Sequence, residues 1–213
     1  MTKLTRKEII DILVTAREQG NIPNLSGMDL SQAQMSGFNL HEVSLTDANL
    51  QEANLKYAYL KQASFRRANL QNADLHGANL SSSFLVKANL QQANLQECDL
   101  QHASLAKVNL SYANLSGARL DNAFLGNADL QHANLSNVTL HNTDMHGANL
   151  DNANLTGVSY NHATLWPDDF TPPDTAIKEE KNRFHIFVPV ALGLILVSIA
   201  ILFMLGRLCN DED

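Results

Sequence analysis

Cysteine is almost missing from this sequence: 213 residues hold two, Cys98 and Cys209. They lie far apart in the chain, so no disulfide between them is expected and a disulfide framework is excluded. Basic residues are short as well, with 15 Lys and Arg against 22 Asp and Glu and a formal charge of −7. That balance argues against a nucleic-acid binder, which usually shows a basic stripe or a high pI, and it is too mild to name a partner by charge alone. No long apolar run follows residues 1–7, so no cleavable signal peptide is expected.

Most of the chain also lacks both common periodicities. A large apolar residue falls at every fifth position from 25 to 165, Leu in nearly every case, with Met35, Phe65, Met145 and Tyr160 as substitutes. A period of five fits neither the 3.6 of an amphipathic helix nor the 2.0 of an alternating strand. Two places before the large residue usually stands a small one, mostly Ala, with Val43, Cys98 and Thr143 among the variants and Pro23, Met28 and Phe38 as exceptions in the first beats. Residues two apart on an extended segment point the same way. The other three positions carry Asn, Asp, Ser, Gly and Gln, which form turns. The chain therefore makes a short extended piece, turns and repeats, with no insertion in the register. Such a unit cannot bury its apolar pair alone, so closed coils must stack.

The beat, read as Ala-Asn-Leu-Gln-Glu at positions 48–52, resembles the pentapeptide-repeat family over about two thirds of the chain. The resemblance implies an all-β solenoid: a right-handed quadrilateral β-helix with four beats, or 20 residues, per coil. Some seven coils at roughly 4.8 Å would make a rod about 34 Å long.

In chain order, residues 1–20 read as an N-terminal capping α-helix. Thr5 with Glu8 makes a capping box, Leu4 with Ile9 a hydrophobic staple, and Gly20 a stop. An exposed solenoid end needs such a lid, and Met28 and Phe38, wide residues in small slots, suit a coil that meets it. Residues 21–166 are the repeat domain, closed by Trp-Pro-Asp-Asp-Phe at 166–170, which resembles the segment that ends many pentapeptide domains. Residues 167–183 read as a proline-bearing charged linker. Residues 184–206 form an apolar run long enough for a transmembrane α-helix, and 207–213 a short acidic tail. Lys178, Lys181 and Arg183 precede the run, and the positive-inside rule then places the repeats in the cytoplasm as a single-pass, C-terminally anchored protein.

Four beats per coil stack residues 20 apart into surface columns. The column through Asn49, Asn69, Asn89, Asn109, Asp129 and Asn149 holds the Asn/Asp rule throughout, with Gln51, Gln71, Gln91 and Gln131 beside it as an expected amide ladder. The column through Ser44, Ser64, Phe84, Ser104 and Phe124 abandons the rule. Val86 and Ala106 flank it, and Arg67, Lys87 and Lys107 form a basic ladder along its edge. An exposed apolar patch with a charged rim marks a protein-docking surface. These seven residues (Phe84, Val86, Ala106, Phe124, Arg67, Lys87 and Lys107) are the candidate interaction site. His141 and His162 fall on neighbouring coils, without a third ligand for a metal. Ser, His and Asp recur because the repeat demands small polar residues, so no catalytic triad is inferred.

The expected function is a non-catalytic, membrane-anchored scaffold that binds a protein partner or another copy of itself, with no cofactor and no nucleic acid. Two alternatives stand beside it, the first of them implied by the resemblance. One is a gyrase-binding or topoisomerase-binding DNA mimic, as in the gyrase-protecting members, which carry a strongly acidic face. The other is a secreted effector inserted into a host membrane.

Overall fold

Each five-residue beat ends in a turn defined by one hydrogen bond. The small residue donates its N–H to the large residue three positions back, as Ala53 does to Leu50 and Ala93 to Leu90, both at 3.0 Å. The third residue of that turn is left-handed, with φ of 57° at Glu52, 60° at Lys87 and 57° at Lys107. Positive φ at that position alone is type II geometry, which glycine adopts most freely. The glycines at Gly77 and Gly117 occupy the same corner slot, at φ 65° and 69°. They therefore express a conformation that Tyr57 and Arg67 also adopt with a side chain attached.

The computed structural model describes residues 3–179. Parallel bridges join residues twenty apart, such as Asn49 with Asn69, Ser64 with Phe84 and Asn94 with Asn114. Four beats thus close one coil. Leu50 donates to the Asn69 carbonyl at 2.6 Å and Glu52 to that of Gln71 at 2.9 Å, while Asn69 donates back to Ala48 at 2.9 Å. Each beat of the inner coils is fastened to the coils on both sides, which satisfies backbone groups that a lone coil would leave orphaned.

Leu and Ala fill the interior. One continuous core runs from Leu25 to Val158, with Leu50, Leu70, Leu90 and Phe65 all fully buried. Each such Leu contributes on the order of 2 kcal/mol. Polar variants of the small slot are tolerated where the coil behind offers a carbonyl: Cys98 Sγ donates to Leu75 at 2.9 Å and Thr143 Oγ1 to Leu120 at 2.8 Å. Burial pushes the Cys98 thiol up to about 12, so it is an inert packing group. Ser83 is different, because it is buried and its hydroxyl has no partner among the described residues.

Helix α1, Arg6–Glu18, covers the first coil. Thr5 Oγ1 accepts from the Glu8 N–H, and the Glu8 carboxylate accepts from the Thr5 N–H at 2.7 Å. These hydrogen bonds hold the Glu8 carboxyl below its usual range. At the other end Gly20 donates to Arg17 and Asn21 to Ala16, at 3.0 and 2.8 Å, a Schellman motif that stops the helix. Ile9 and Leu13 drop into the core, and Leu4, Met28 and Phe38 pack around them. The first coil would present open carbonyls along its edge. Leu4 N–H takes that of Asp29, the Arg6 guanidinium that of Gln34, and Arg17 that of Asn39 at 2.7 Å.

The far end departs from the expected register. Asp144 bridges to Leu165, twenty-one residues on, because one extra residue enters the coil between Ser159 and Thr164. Thr164 then takes the small inward slot, donating to Leu140 at 2.7 Å, and Leu165 turns outward, 55% exposed. Trp166 takes the position expected of Leu165, with Tyr160 edge-on and Phe170 stacked upon it at 5.3 Å. Nor are residues 167–179 a linker. Strand β1, Ser159–Asn161, pairs in parallel with β2, Ile177–Glu179, while Ala176 packs on the core. Among the described residues no helix is long and apolar enough to cross a membrane. The expected anchor at 184–206, Cys209 and the tail at 207–213 lie outside the described residues.

Candidate protein-docking face

The Asn/Asp rule has a local cause. In each such beat the side-chain oxygen accepts the N–H two residues on, just before the corner: Asn49 from Gln51 at 3.3 Å, Asn89 from Gln91 at 3.2 Å, Asp129 from Gln131 at 3.1 Å. This is an Asx turn. The amide nitrogen then donates to the coil before, Asn49 to Asp29 at 3.1 Å, with Asn69 to Asn49 and Asn89 to Asn69 at 3.3 Å. The ladder therefore runs through asparagine, and not through Gln51, Gln71 and Gln91, whose side chains make no such bonds to one another among the described residues.

The face through Ser64, Phe84, Ser104 and Phe124 has no such ladder. Its column is confirmed by the bridges Ser64 to Phe84, Phe84 to Ser104 and Ser104 to Phe124. Without an Asx oxygen, the N–H groups of Val86, Ala106 and Gly126 find no acceptor among the described residues. Phe84 is 41% and Phe124 45% exposed, two strand spacings apart along one face. Val86 and Ala106 beside them are half-buried. The Phe124 ring folds back over Gly126, where an added Cβ would meet it at 2.7 Å. Phe84 instead receives the Arg66 guanidinium 5.6 Å from its ring centre, a contact that periodicity did not single out.

The basic ladder is partly spent. Arg67 makes a two-pronged bond to Asp47, Nε to Oδ1 at 2.7 Å and a terminal nitrogen to Oδ2 at 2.6 Å. The pairing raises the Arg67 pKa and lowers that of Asp47. Asp47 and Arg67 hold the same slot on successive coils, so their meeting was legible once the period was known. Lys87 and Lys107 are exposed and form no ion pair among the described residues. The face therefore brings together Phe84, Val86, Ala106, Phe124, Lys87 and Lys107, adds Arg66, and leaves Arg67 engaged elsewhere.

A second polar cluster lies near the end of the rod. Asp121 accepts from Thr139 at 2.8 Å, Gln101 at 3.1 Å and the His141 N–H at 3.0 Å. Burial pushes its carboxyl upward, but these bonds and the nearby imidazole outweigh it and the net shift is downward. His141 Nδ1 lies 3.0 Å from Asp121, and its Nε2 lies 3.0 Å from Ser159 Oγ and 3.3 Å from Glu179. The neighbours of His141 are thus acids and a hydroxyl that fasten β2, where the sequence suggested His162. Among the described residues no group of His, Cys, Asp and Glu could hold a metal ion. Clefts of about 500 Å³ beside Asp11 and Ile22, and about 350 Å³ between Leu150 and Phe170, lie at the two ends of the rod.

A search of curated proteins finds no match. Among solved structures, the chain is similar to alr5209, a pentapeptide repeat protein from Nostoc Pcc 7120, at 32% identity over 47% of this chain and 84% of that one, with a TM-score of 0.46. HetL of Nostoc sp. strain PCC 7120, a pentapeptide repeat protein involved in heterocyst differentiation regulation, shares 32% identity over 63% of this chain and 75% of its own, with a TM-score of 0.38. QnrB1, a plasmid-mediated fluoroquinolone resistance protein, shares 20% identity over 80% of this chain and 96% of its own, with a TM-score of 0.40. The family model for pentapeptide repeats matches residues 24–56, 48–85, 88–127 and 119–157. The chain belongs to the pentapeptide-repeat family, with its right-handed β-helix.

Proposed function

We propose that this protein is a non-catalytic scaffold that docks a protein partner on the Phe84–Phe124 face while tethered to a membrane through residues 184–206. One observation carries the docking: that face gives up the Asx turns kept throughout the asparagine column beside it and presents two exposed rings, Phe84 and Phe124. A surface that forgoes local hydrogen bonds for exposed aromatics fits contact with another molecule. The tether rests on the uncharged apolar run at 184–206 and on the basic residues before it.

The DNA-mimic alternative needs one acidic face. Here the acidic residues are spread among the columns, and Asp47 and Asp74 are neutralised by Arg67 and Lys56. The test is cross-linking capture from native membranes, comparing the wild type with Phe84→Ser/Phe124→Ser. Loss of specific partners by a folded variant supports the docking face, and recovery of the same partners contradicts it. Carbonate washing tests the tether, since a spanning protein stays in the pellet and a peripheral one is released.

A further inference from the structure

The coil between the two phenylalanines is cut low. Ser104 stands where Phe84 and Phe124 stand on the coils to either side, so a small side chain forms a notch between two phenylalanine positions roughly 10 Å apart, two strand spacings. Two residues after Ser104 comes the half-buried Ala106, whose N–H has no acceptor among the described residues. In the asparagine columns the equivalent N–H is filled by a side-chain oxygen of the same beat. Here that oxygen is missing, and an incoming one would find the donor free.

The charges left unpaired at the notch are cations, since Asp121, at the corner before Phe124, is engaged by Gln101, Thr139 and the His141 N–H. Lys87 and Lys107 follow Val86 and Ala106 at the adjoining corner, and Arg66 lies over Phe84. The acidic residues of this column and corner, Asp47 and Asp144, stand on coils beyond the patch, and Asp47 is held by Arg67. In a chain of net charge −7, this local excess of cations selects a partner by complementarity.

We infer that the notch receives a protein segment in which a bulky apolar side chain stands next to a carboxylate. The apolar group fills the space over Ser104 between the two rings. The carboxylate oxygen takes the Ala106 N–H and pairs with Lys87 and Lys107, replacing the Asx oxygen this face lacks. The inference rests on the docking reading above and adds the chemistry of the partner.

The test uses the full chain in neutral detergent and three fluorescein-labelled decapeptides. The first alternates Glu and Phe, the second replaces Glu by Lys, and the third replaces Phe by Ser. Anisotropy should show saturable binding of the first and at least about tenfold weaker binding of the others, weakening further with salt for the acidic probe. Lys87→Glu/Lys107→Glu should reverse the preference between the Glu and Lys peptides. The salt titration of the wild type needs no variant and guards against misfolding. Equal binding of both charge forms, an unchanged preference in the charge-reversed variant, or no saturable binding of the acidic probe would overturn the inference. If Phe84→Ser/Phe124→Ser loses native partners while the probes ignore charge, docking stands and the acidic partner falls. If that variant keeps its native partners, the docking reading itself falls.

Discussion

Two faces of the same coils solve the same turn in opposite ways. On the asparagine face, Asn89 closes its own corner through Gln91 and ties itself to Asn69 on the coil before. On the phenylalanine face, Phe84 and Ser104 do neither, and the N–H groups of Val86 and Ala106, just before the corner, find no acceptor among the described residues. Beneath both lies the same interior, with Leu85 and Leu90 equally buried. The fold tolerates the loss because its stability is set inside, layer by layer. What changes between the faces is the outside, and that difference separates scaffold from surface.

The comparison breaks first if the interiors are not equivalent. Leu85→Ala under the phenylalanine face and Leu90→Ala under the asparagine face should each cost about 2–5 kcal/mol, and denaturant unfolding should place them close together. A large gap between them would mean that the faces differ below the surface as well.

The next effect is smaller and must be one-sided. Asn89→Ala removes the Asx bond and the ladder bond and should cost about 1–2 kcal/mol, whereas Ser104→Ala, which loses no side-chain hydrogen bond among the described residues, should fall within about 0.5 kcal/mol of wild type. Ser83 sharpens the point, because it underlies Phe84 with a buried, unpartnered hydroxyl. Ser83→Ala should raise stability by about 1 kcal/mol, while Thr143→Ala, which gives up its bond to Leu120, should not.

The smallest effect is acidic. The Asp121 carboxyl is held below its ordinary value, although burial opposes this, by Thr139, the His141 N–H and Gln101. Its folded pKa lies below the unfolded one. The stability it supplies is therefore present above the unfolded value of about 3.9 and is lost as pH falls through the folded value. Melting temperatures measured from pH 6 down to pH 2 should fall more steeply for wild type than for Asp121→Asn. Parallel curves would remove Asp121 from the account.

Much of the fold was legible because each slot of the beat has one structural meaning. The inward large and small slots and the left-handed corner repeat without a break through the middle coils, and the Asx turn forms wherever Asn or Asp stands before the large residue. The end of the rod was less legible. Leu165 still falls on a multiple of five, so the extra residue before Thr164 leaves no mark in the pattern. Strand β2 is three exposed residues held mainly by backbone pairing, and backbone pairing has little compositional signature. At the candidate face, the phenylalanine column was readable from register, but the Arg66 contact depends on a rotamer. The Asp121–His141–Ser159–Glu179 cluster draws on three coils and a segment beyond the cap.

The central claim is that the phenylalanine face forgoes stability for contact. Phe84→Asn/Phe124→Asn tests it most directly, because it restores the Asx residue at both corners without touching the core. Thermal unfolding and cross-linking capture should be measured on the same preparation. The account predicts a higher melting temperature together with loss of the captured partner, a trade of function for stability. A variant that melts lower than wild type, or that still captures the partner, would contradict it.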